Sequence, residues 1–357
     1  MAGIVEARFQ ASRAQGHNGD RLFALPLTYR KPCRVPLFAD FDVVARVARL
    51  CVYPVKSCAG IDLQSALLTD TGLQWDRAWM VVDAQGHCLT QRTLPRMALV
   101  QPQLQPQEGA LLLHAPGQPT LSVPLAPSGA CSAVQVWDDR VQALDAGDAA
   151  AAWFSAFLCQ PCRLVRFDPA GRRLASADWT AGLQAPFQFA DAFPLLVASM
   201  AGLDALNAQL AAVGEAAAGM ERFRPNLVLG GVDAHEEDWL DLLHIPTAGA
   251  DADANANANA NADSVTDANT DANTDGDADS NAAVQLLLTK PCVRCPIPDI
   301  DPVSAQPGTQ VGDALRRYRQ DARMGGALTF GMNAVVQAGA GQVLRVGQPL
   351  GARYHFA

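Results

Sequence analysis

The chain has 357 residues, 49% of them hydrophobic, which is enough apolar surface for one or two globular domains. Its formal net charge is −9, but residues 251–279 contain eight Asp and no Lys or Arg, so the remainder is close to neutral, at −1. No basic stripe or polybasic patch indicates a nucleic acid or a membrane surface as partner. The sequence shows no secretory signal and no apolar run of roughly 18 residues, so we expect a cytoplasmic protein.

The first part of the chain is predicted to be β-rich. Residues 1–45 lack sustained periodicity and are expected to form a loose N-terminal extension. Short β-like runs separated by Gly- or Pro-containing turns follow, and they predict a domain over residues 46–145. The predicted strands are Arg49–Val55, Ala78–Asp83, His87–Arg92, Ala110–His114, Leu121–Pro124 and Ala133–Leu144.

Residues 146–350 are predicted to form an α+β domain, followed by a C-terminal tail at 351–357. One helix is expected to begin with Asp148 as its N-cap and to end before Pro161. Ser199 is expected to cap a second helix, which has leucines at helical spacing. The later predicted elements are strands at Asn226–Leu229 and Gln285–Thr289, a helix at Ala314–Arg319, and a hairpin at Ala334–Val346 around Gly339–Gly341.

A low-complexity repeat of Asp, Ala, Asn and Thr occupies residues 250–281. It has a single branched apolar residue, Val265, and therefore cannot bury enough surface to offset the entropy of ordering. The spacing Asp-x-Asp-x-Asn also occurs in calcium loops, but no Glu closes this one and its glycine is misplaced. We therefore predict a disordered insertion in a surface loop between two strands.

Two thiols and two cations lie close together in Lys290–Pro296, after a predicted strand. Nearby Lys and Arg favour the thiolate, the form that binds metals and attacks electrophiles. The Cys292–Cys295 spacing suits half a zinc site, a redox dithiol, or one metal ligand beside a supporting thiol. The other such pair, Cys159 and Cys162, is too far upstream for a zinc ribbon and is expected to be buried at a helix end. Prolines after Cys295 disfavour the helix start that a redox dithiol needs.

Two further clusters carry cations at predicted strand ends. Lys56 and Ser57 lie in a turn that Arg77 follows, and Arg224 and Asn226 precede a buried strand. Such groups suit a phosphate. Taken singly, Lys56 and Arg77 are better explained as solvated charges, and Arg224 and Asn226 equally well as ordinary turn residues.

Together these motifs resemble the MOSC family, named for the C-terminal domain of molybdenum cofactor sulfurase. The resemblance covers about residues 46–350 without the repeat, and it implies a β-rich α+β fold. The implied architecture is a MOSC N-terminal β-barrel-like domain plus a MOSC β-barrel domain with packing helices. Val52–Gly60 and Asp76–Trp79 resemble the first domain, whereas Phe223–Asn226, Lys290–Cys295, Ile300–Pro302 and Phe330–Asn333 resemble the second.

Within that family the arrangement is similar to the mitochondrial amidoxime-reducing component and its bacterial relatives. The resemblance implies a molybdopterin-type molybdenum cofactor with Cys295 as the metal ligand and catalytic residue. It implies reduction of N-hydroxylated small molecules, such as amidoximes, hydroxylamines and N-hydroxylated bases, to amines by oxygen removal. The residues implied to bind the cofactor are Lys56, Ser57, Arg77, Ser199, Arg224, Asn226, Cys292, Arg294 and Asn333.

The chain departs from the family pattern near the ligand, where Pro298-Asp299 replaces a Thr-Thr pair. No plant-type ferredoxin spacing occurs, so we expect no iron–sulfur cluster in this chain and a separate electron-donor protein, a reductase with a ferredoxin or cytochrome. Asp299 and Asp301 could relay protons or only stabilise turns. Alternatives to a reductase are a sulfur-carrying or cofactor-handling protein with persulfide on Cys295, or a cofactor-binding module without catalysis.

Overall fold

The fold consists mainly of β-strands. Most of these strands alternate buried and exposed residues along the chain, as expected when one face packs on a core. The computed structural model describes residues 38–126, 128–247 and 283–355. The first strands are β1 Val43–Val52, β2 Ile61–Leu63, β3 Ser65–Thr69, β4 Gly72–Leu73, β5 Trp79–Asp83, β6 Gln101–Gln105, β7 Ala110–His114, β8 Leu121–Pro124, β9 Cys131–Val136, β10 Asp139–Asp145 and β11 Cys162–Phe167. The others are β12 Arg173–Leu174, β13 Pro186–Phe187, β14 Leu195–Ser199, β15 Leu227–Gly230, β16 Leu240–Pro246, β17 Ala283–Val293, β18 Gln320–Asp321, β19 Ala327–Ala338, β20 Val343–Arg345 and β21 Pro349–Tyr354. Three α-helices occur in these ranges: α1 Asp148–Leu158, α2 Met200–Ala211 and α3 Gln310–Tyr318.

Seven strands close into a barrel in the order β14-β15-β1-β21-β16-β17-β19, with β19 pairing back to β14. Closure satisfies the backbone groups that an open sheet edge would expose. The barrel interior is filled by side chains such as Val47, Leu50, Val197, Leu286 and Met332. The β-rich α+β fold with a barrel, predicted from the sequence, is confirmed.

Smaller sheets and the helices pack around this barrel. Strands β5 and β11 of the sheet β5-β11-β10-β9, together with the sheet β6-β7-β8, enclose a second core. Helix α1 contributes Trp153, Phe154 and Phe157 to that core, where they join Trp79. Helices α2 and α3 share a third core that includes Phe223 and Phe330. The predicted domain division at residue 145 stays a prediction.

Several predicted elements are confirmed with small shifts in their ends. Strands β7 and β8 match the predicted bounds, and Ser199 caps α2 because its Oγ accepts a hydrogen bond from Gly202 N at 3.1 Å. The N-cap of α1 is Gly147, and Asp148 is its first helical residue. The run predicted over 133–144 is two strands, because Trp137 adopts φ = 54° and turns the chain between them.

Two predicted β-elements are wrong. Residues 87–92 form only isolated bridges at His87 and Cys88, because Thr90 O accepts from Leu94 N and the chain turns there. The predicted hairpin at 334–346 is also absent. Strand β19 pairs with β17 and β14, whereas β20 pairs with β3, so the glycines between them end a strand without folding it back.

The predicted insertion at 250–281 lies outside the described residues, as does most of the predicted N-terminal extension. The strands on either side of that insertion are neighbours, since Pro246 of β16 pairs with Ala283 of β17. Within the described residues, no helix is both long and apolar enough to cross a membrane.

A buried acid, Glu237, lies in the 3-10 turn Glu236–Trp239 beside the barrel. Its side chain is fully buried, and burial raises its pKa from an ordinary 4.5 to about 7. The folded state therefore binds this proton more tightly than the unfolded chain does. The resulting stability is fully present below pH 4.5 and is lost as the pH rises through about 7.

We expect Glu237→Gln to flatten the fall in unfolding free energy between pH 5 and 8, removing a change of about 2 kcal/mol. Urea unfolding at several pH values measures this slope. Glu215→Gln, at an exposed position, should leave the wild-type slope unchanged. A Glu237→Gln slope equal to that of wild type would contradict the assignment.

Candidate functional site

A cavity of about 250 Å³ lies against the outer face of the barrel wall. Leu195, Val197, Met332 and Ala334 fill the barrel interior, so the alternating Leu196 and Asn333 face outward. The opposite wall comes from the turn after β1, the segment before β5 and the turn between β9 and β10. The residues that line the cavity include Lys56, Ser57, Arg77, Arg92, Trp137, Asp191, Leu196, Arg222, Phe223, Arg224, Asn226, Lys290, Cys292, Val293, Arg294, Cys295, Ile297, Pro298 and Asn333.

Positive charge dominates this cavity. Seven of the lining side chains are cationic, whereas Asp191 is the single carboxylate among them. The cations are Lys56, Arg77, Arg92, Arg222, Arg224, Lys290 and Arg294. Such a concentration of guanidinium and ammonium groups suits an anionic ligand, above all a phosphate.

Arg77 and Arg224 lie together at the base of the cavity. Their guanidinium carbons are 4.4 and 4.2 Å from the centre of the Tyr53 ring. Both residues have left-handed backbone, with φ of 46° and 58°, which costs free energy in side chains of this size. Arg77 Nη2 donates to Arg224 O at 3.0 Å, so each segment holds the other in place.

The buried Asp76 carboxylate fixes Arg77 with two contacts to Nη1, at 2.6 and 2.8 Å. Burial alone lowers the pKa of Arg77, but Asp76 outweighs that effect and raises it. Arg224 lacks such a partner, so burial and the neighbouring Arg77 lower its pKa. Its Nη1 donates to Cys58 O, whereas its buried Nη2 has no hydrogen-bond partner. A buried donor without a partner is costly, so this atom is available to a ligand.

Asn226 connects the strands of this wall with its side-chain amide. Its Oδ1 accepts from Arg77 Nη1 at 3.2 Å and from Leu196 N at 3.1 Å, and its Nδ2 donates to Cys51 O at 3.2 Å. The side chain is 1% exposed. Asn226 therefore orients Arg77 and offers little hydrogen-bonding capacity to a ligand.

A second polar cluster in the cavity wall consists of Lys56 and Asp191. Lys56 Nζ donates to Asp191 Oδ1 and, at 2.8 Å, to Phe189 O. Trp137 Nε1 also donates to Asp191 Oδ1, at 3.1 Å. Burial opposes ionisation of Asp191, but Lys56 and Trp137 outweigh it and lower the pKa of the carboxyl. Arg92 stacks over the Trp137 ring at 4.3 Å and extends the positive charge.

The cysteine loop follows β17. Arg294 Nη1 donates to Cys292 Sγ at 2.8 Å, and Nη2 donates to Phe223 O. The buried Arg294 Nε has no hydrogen-bond partner. Cys295 is half-buried in the cavity wall as a free thiol. A half-buried thiol in a cavity wall can bind a soft metal.

The two acids after this loop are turned away from the cavity. Asp299 Oδ1 accepts from Gly312 N at 2.8 Å, in the first turn of α3, and burial raises its pKa. Asp301 accepts from Ser304 N at 2.7 Å and from Arg222 Nη2 at 2.8 Å, and these bonds lower its pKa. Neither acid lines the cavity, and both stabilise local turns.

The structure brings nine of the ten predicted site residues to this one cavity. Ser199 is the exception, because it is fully buried and its hydroxyl caps α2. Reasoning from the sequence missed Arg92, Trp137, Asp191 and Arg222, which no motif singled out, and it left Lys290 unassigned although its motif was noticed. Asp191 contacts Lys56 across 135 positions of sequence, and no local pattern reports such a contact.

The second cysteine pair differs from its prediction. Cys162 is buried, but Cys159 is exposed, because it ends α1 in a left-handed conformation with φ = 57°. Over the part of the chain that the structure describes, no three His, Cys, Asp or Glu side chains are grouped as metal ligands. A zinc site of the kind considered for Cys292 and Cys295 gains no support from these residues.

Asp76→Asn should destabilise the protein by about 3 kcal/mol, because it leaves the buried Arg77 cation without its carboxylate. The matched control is Asp62→Asn, which removes the partner of Arg49 from a more exposed pair and should cost at most about 1 kcal/mol. Urea unfolding compares the two. Equal, small effects would show that Asp76 does not hold Arg77.

Comparison with known proteins gives matches to two family models, the MOSC N-terminal beta barrel domain over residues 44–161 and the MOSC domain over residues 184–255. Mitochondrial amidoxime-reducing component 1 of Mus musculus is 36% identical over 210 residues, 56% of this chain and 60% of the relative. Component 2 of Bos taurus is 35% identical over 210 residues, 56% of this chain and 61% of the relative. Molybdenum cofactor sulfurase of Homo sapiens is 30% identical over 216 residues, 56% of this chain and 24% of the relative. The chain thus spans about three fifths of the length of the amidoxime-reducing components it matches.

Proposed function

Because the chain belongs to the MOSC family, we propose that it is a molybdenum-cofactor oxidoreductase that reduces N-hydroxylated compounds to amines. The proposal rests on one observation, the presence of a thiol and a group of cations in the same cavity. A free thiol, Cys295, lies in the wall of a cavity whose other side chains supply seven cations. A thiolate suits the metal, and the cations suit the phosphate of a pterin cofactor.

The residues present fit such a cofactor. Arg224 Nη2 and Arg294 Nε are buried donors without partners, as expected where an anion or a pterin edge would accept hydrogen bonds. Cys295 would bind the metal, and Lys56, Ser57, Arg77, Arg224, Lys290, Arg294 and Asn333 would hold the organic part. When bound, the molybdenum cofactor would supply two-electron redox chemistry next to Cys295.

The overall reaction balances as R–NH–OH + 2e⁻ + 2H⁺ → R–NH₂ + H₂O. The N–O bond breaks, the nitrogen is reduced, and the oxygen leaves as water. Two electrons would come from a separate electron-donor protein, the partner predicted from the sequence. In this scheme Asp76 keeps Arg77 oriented, and Asn226 keeps the Arg77 segment against the barrel wall.

Proton delivery does not rest on the two acids of the cysteine loop. Asp299 and Asp301 are engaged with α3 and with Arg222, away from the cavity. Asp191 faces the cavity, but Lys56 and Trp137 keep it ionised. The cytoplasmic location and the absence of an iron–sulfur cluster stay predictions from the sequence.

The 30% identity to a molybdenum cofactor sulfurase favours a second candidate, in which Cys295 carries persulfide sulfur for cofactor handling. The same thiol serves both candidates, so its substitution alone does not separate them. Measurements of metal content and of cyanolysable sulfur distinguish the two candidates. A metal-free protein that carries cyanolysable sulfur on Cys295 would replace the reductase with this candidate.

We expect protein expressed in a molybdopterin-producing strain to hold on the order of one molybdenum per chain. Cys295→Ser should lose the metal and lower benzamidoxime reduction with an artificial electron donor by more than about 100-fold. Cys159→Ser, at an exposed thiol outside the cavity, should keep both. Bound pterin and metal without turnover of any N-hydroxylated substrate would show a binding module and contradict the reductase.

Arg224→Ala should weaken cofactor retention by about 10- to 100-fold, since a hydrogen bond to a charged group contributes about 1.5–3 kcal/mol. Arg224→Lys should recover only part, because Lys lacks the fork that carries the free Nη2. Pterin and molybdenum remaining after extended dialysis measure the retention. Arg140→Ala, at an exposed position, is the control. Full retention by Arg224→Ala would remove this residue from the cofactor site.

A further inference from the structure

A second cavity, of about 600 Å³, lies at the end of the barrel where β16 begins and β17 ends, and we call it the barrel-end cavity. Leu240, Leu288 and Met332, which belong to the barrel core, form part of its lining. Three aromatic side chains also line it: Trp179, Trp239 and Tyr318. Among the described residues, Pro291 alone lines both this cavity and the one beside the cysteine loop, so the barrel-end cavity has its own chemistry.

The charged side chains of the barrel-end cavity are mainly acidic. Its lining includes the carboxylates of Asp238, Asp241 and Asp321. The two guanidinium groups of the lining are already paired with carboxylates of the chain. Arg319 Nη2 donates to Asp238 Oδ2 at 2.6 Å. Arg323 Nη2 donates to Asp321 Oδ2 at 2.7 Å. One carboxylate of the lining is therefore left over, whereas cations are in excess beside the cysteine loop.

Two of these carboxylates have oxygen atoms without a partner in the described part of the chain. Asp238 is 7% exposed, and its Oδ1 accepts no hydrogen bond from these residues. Burial raises the pKa of this carboxyl, although Arg319 opposes the shift. Asp241 makes neither an ion pair nor a side-chain hydrogen bond within the described ranges. Because a buried acceptor without a partner is costly, the cavity suits a ligand that donates hydrogen bonds.

An irregularity in the barrel wall places Asp241 at this cavity. The pairing register of β16 with β21 shifts between Leu240 and Leu243. Successive residues of a regular strand face opposite sides of the sheet, but here Leu240 and Asp241 both line the cavity. The backbone thus positions the Asp241 carboxylate, and no side-chain contact of Asp241 has to break when a ligand binds.

The indole rings of the cavity suit a flat cation. Lys290 Nζ lies 5.1 Å from the centre of the Trp179 ring, and Arg323 Cζ lies 5.4 Å from that of the Trp239 ring. Lys290 itself lines the cavity beside the cysteine loop and not the barrel-end cavity. Trp239 is 49% exposed, so part of its side chain is accessible. A planar cation can lie on an indole ring and donate two parallel hydrogen bonds to a carboxylate.

We propose that the barrel-end cavity binds a planar organic cation of the amidinium or guanidinium class through Asp238 and Asp241. Its N–H groups supply the donors that these carboxylates lack, and its charge balances the carboxylate that is left over. A bare metal ion fits less well, because over the described ranges no three His, Cys, Asp or Glu side chains are grouped as ligands. The proposal is independent of the proposed reaction, since neither Cys295 nor the cations of its cavity take part.

Isothermal titration calorimetry of the full chain with three ligands of similar size tests the charge and the shape of the ligand. The ligands are benzamidine, its neutral isostere benzamide, and benzylamine, whose ammonium group is not planar. Benzamidine should bind at least about 10-fold more tightly than benzamide, because hydrogen bonds to charged groups are the stronger ones. Benzylamine should bind with intermediate affinity, because it cannot donate a bidentate pair. Equal affinity of benzamidine and either of the other ligands would overturn the inference.

Asp241→Asn tests whether the cation binds at this cavity. It should weaken benzamidine binding by about 10-fold and leave benzamide binding unchanged. Urea unfolding should match that of wild type, since the substitution breaks no side-chain contact. Asp204→Asn is the matched control, because Asp204 is exposed on α2 and lines neither cavity. Equal dissociation constants of the two variants for benzamidine would place the cation elsewhere and contradict the proposal.

Two further variants separate this site from the cavity of the proposed reaction. Trp239→Leu should weaken benzamidine binding by about 5-fold, because it removes a cation–π contact, and should keep the preference for benzamidine over benzamide. Cys295→Ser should bind benzamidine as tightly as wild type does, even where it loses molybdenum and turnover. Loss of benzamidine binding in Cys295→Ser, or full binding in Trp239→Leu, would refute the barrel-end site and leave the proposed reaction untouched.

Discussion

The site depends on the closure of the barrel through β19. This strand pairs with β14 on one side and β17 on the other, so Asn333 lies level with both Leu196 and Lys290. Three segments that are far apart in sequence are thereby placed at one height on the outer wall. Because closure fixes all seven strands at once, the position of the cysteine loop after β17 depends on the whole barrel. A one-residue slip of β19 would turn Asn333 inward.

The second wall is joined to the barrel by buried polar contacts. Asp76 holds Arg77, and Asn226 links Arg77 to Leu196 of β14 and Cys51 of β1. Removing one member of such a network leaves other buried groups unpaired, so its members act together. The left-handed backbone at Arg77 and Arg224 adds a cost that these contacts offset. The cations are therefore oriented before any ligand arrives, which reduces the ordering cost of binding.

Local patterns in the sequence were sufficient for the β-rich α+β class, and the resemblance of the motifs to a family implied the barrel. Alternation marks β7 and β8, and a turn with Lys56 and Ser57 marks one wall of the cavity. Prediction from the sequence failed where contacts between residues that are distant in sequence determine the structure. Glycines after β19 look like a hairpin turn, yet β20 leaves to pair with β3. Ser199 has the sequence of a helix cap and serves as one, and it lies outside the cavity, whereas its implied role in cofactor binding stays a prediction.

The same limit applies to the two acids that follow the thiol. Asp299 and Asp301 follow Cys295 so closely that they look like acids of the site, and only the fold shows them bound to α3 and Arg222. Arg222 reaches the cavity wall through the backbone carbonyl of Pro298, so the side chain at that position can differ without losing that contact. The position of Arg77, in contrast, depends on the side chains of Asp76 and Asn226. Side chains that follow Cys295 can therefore differ while Arg77 keeps its position.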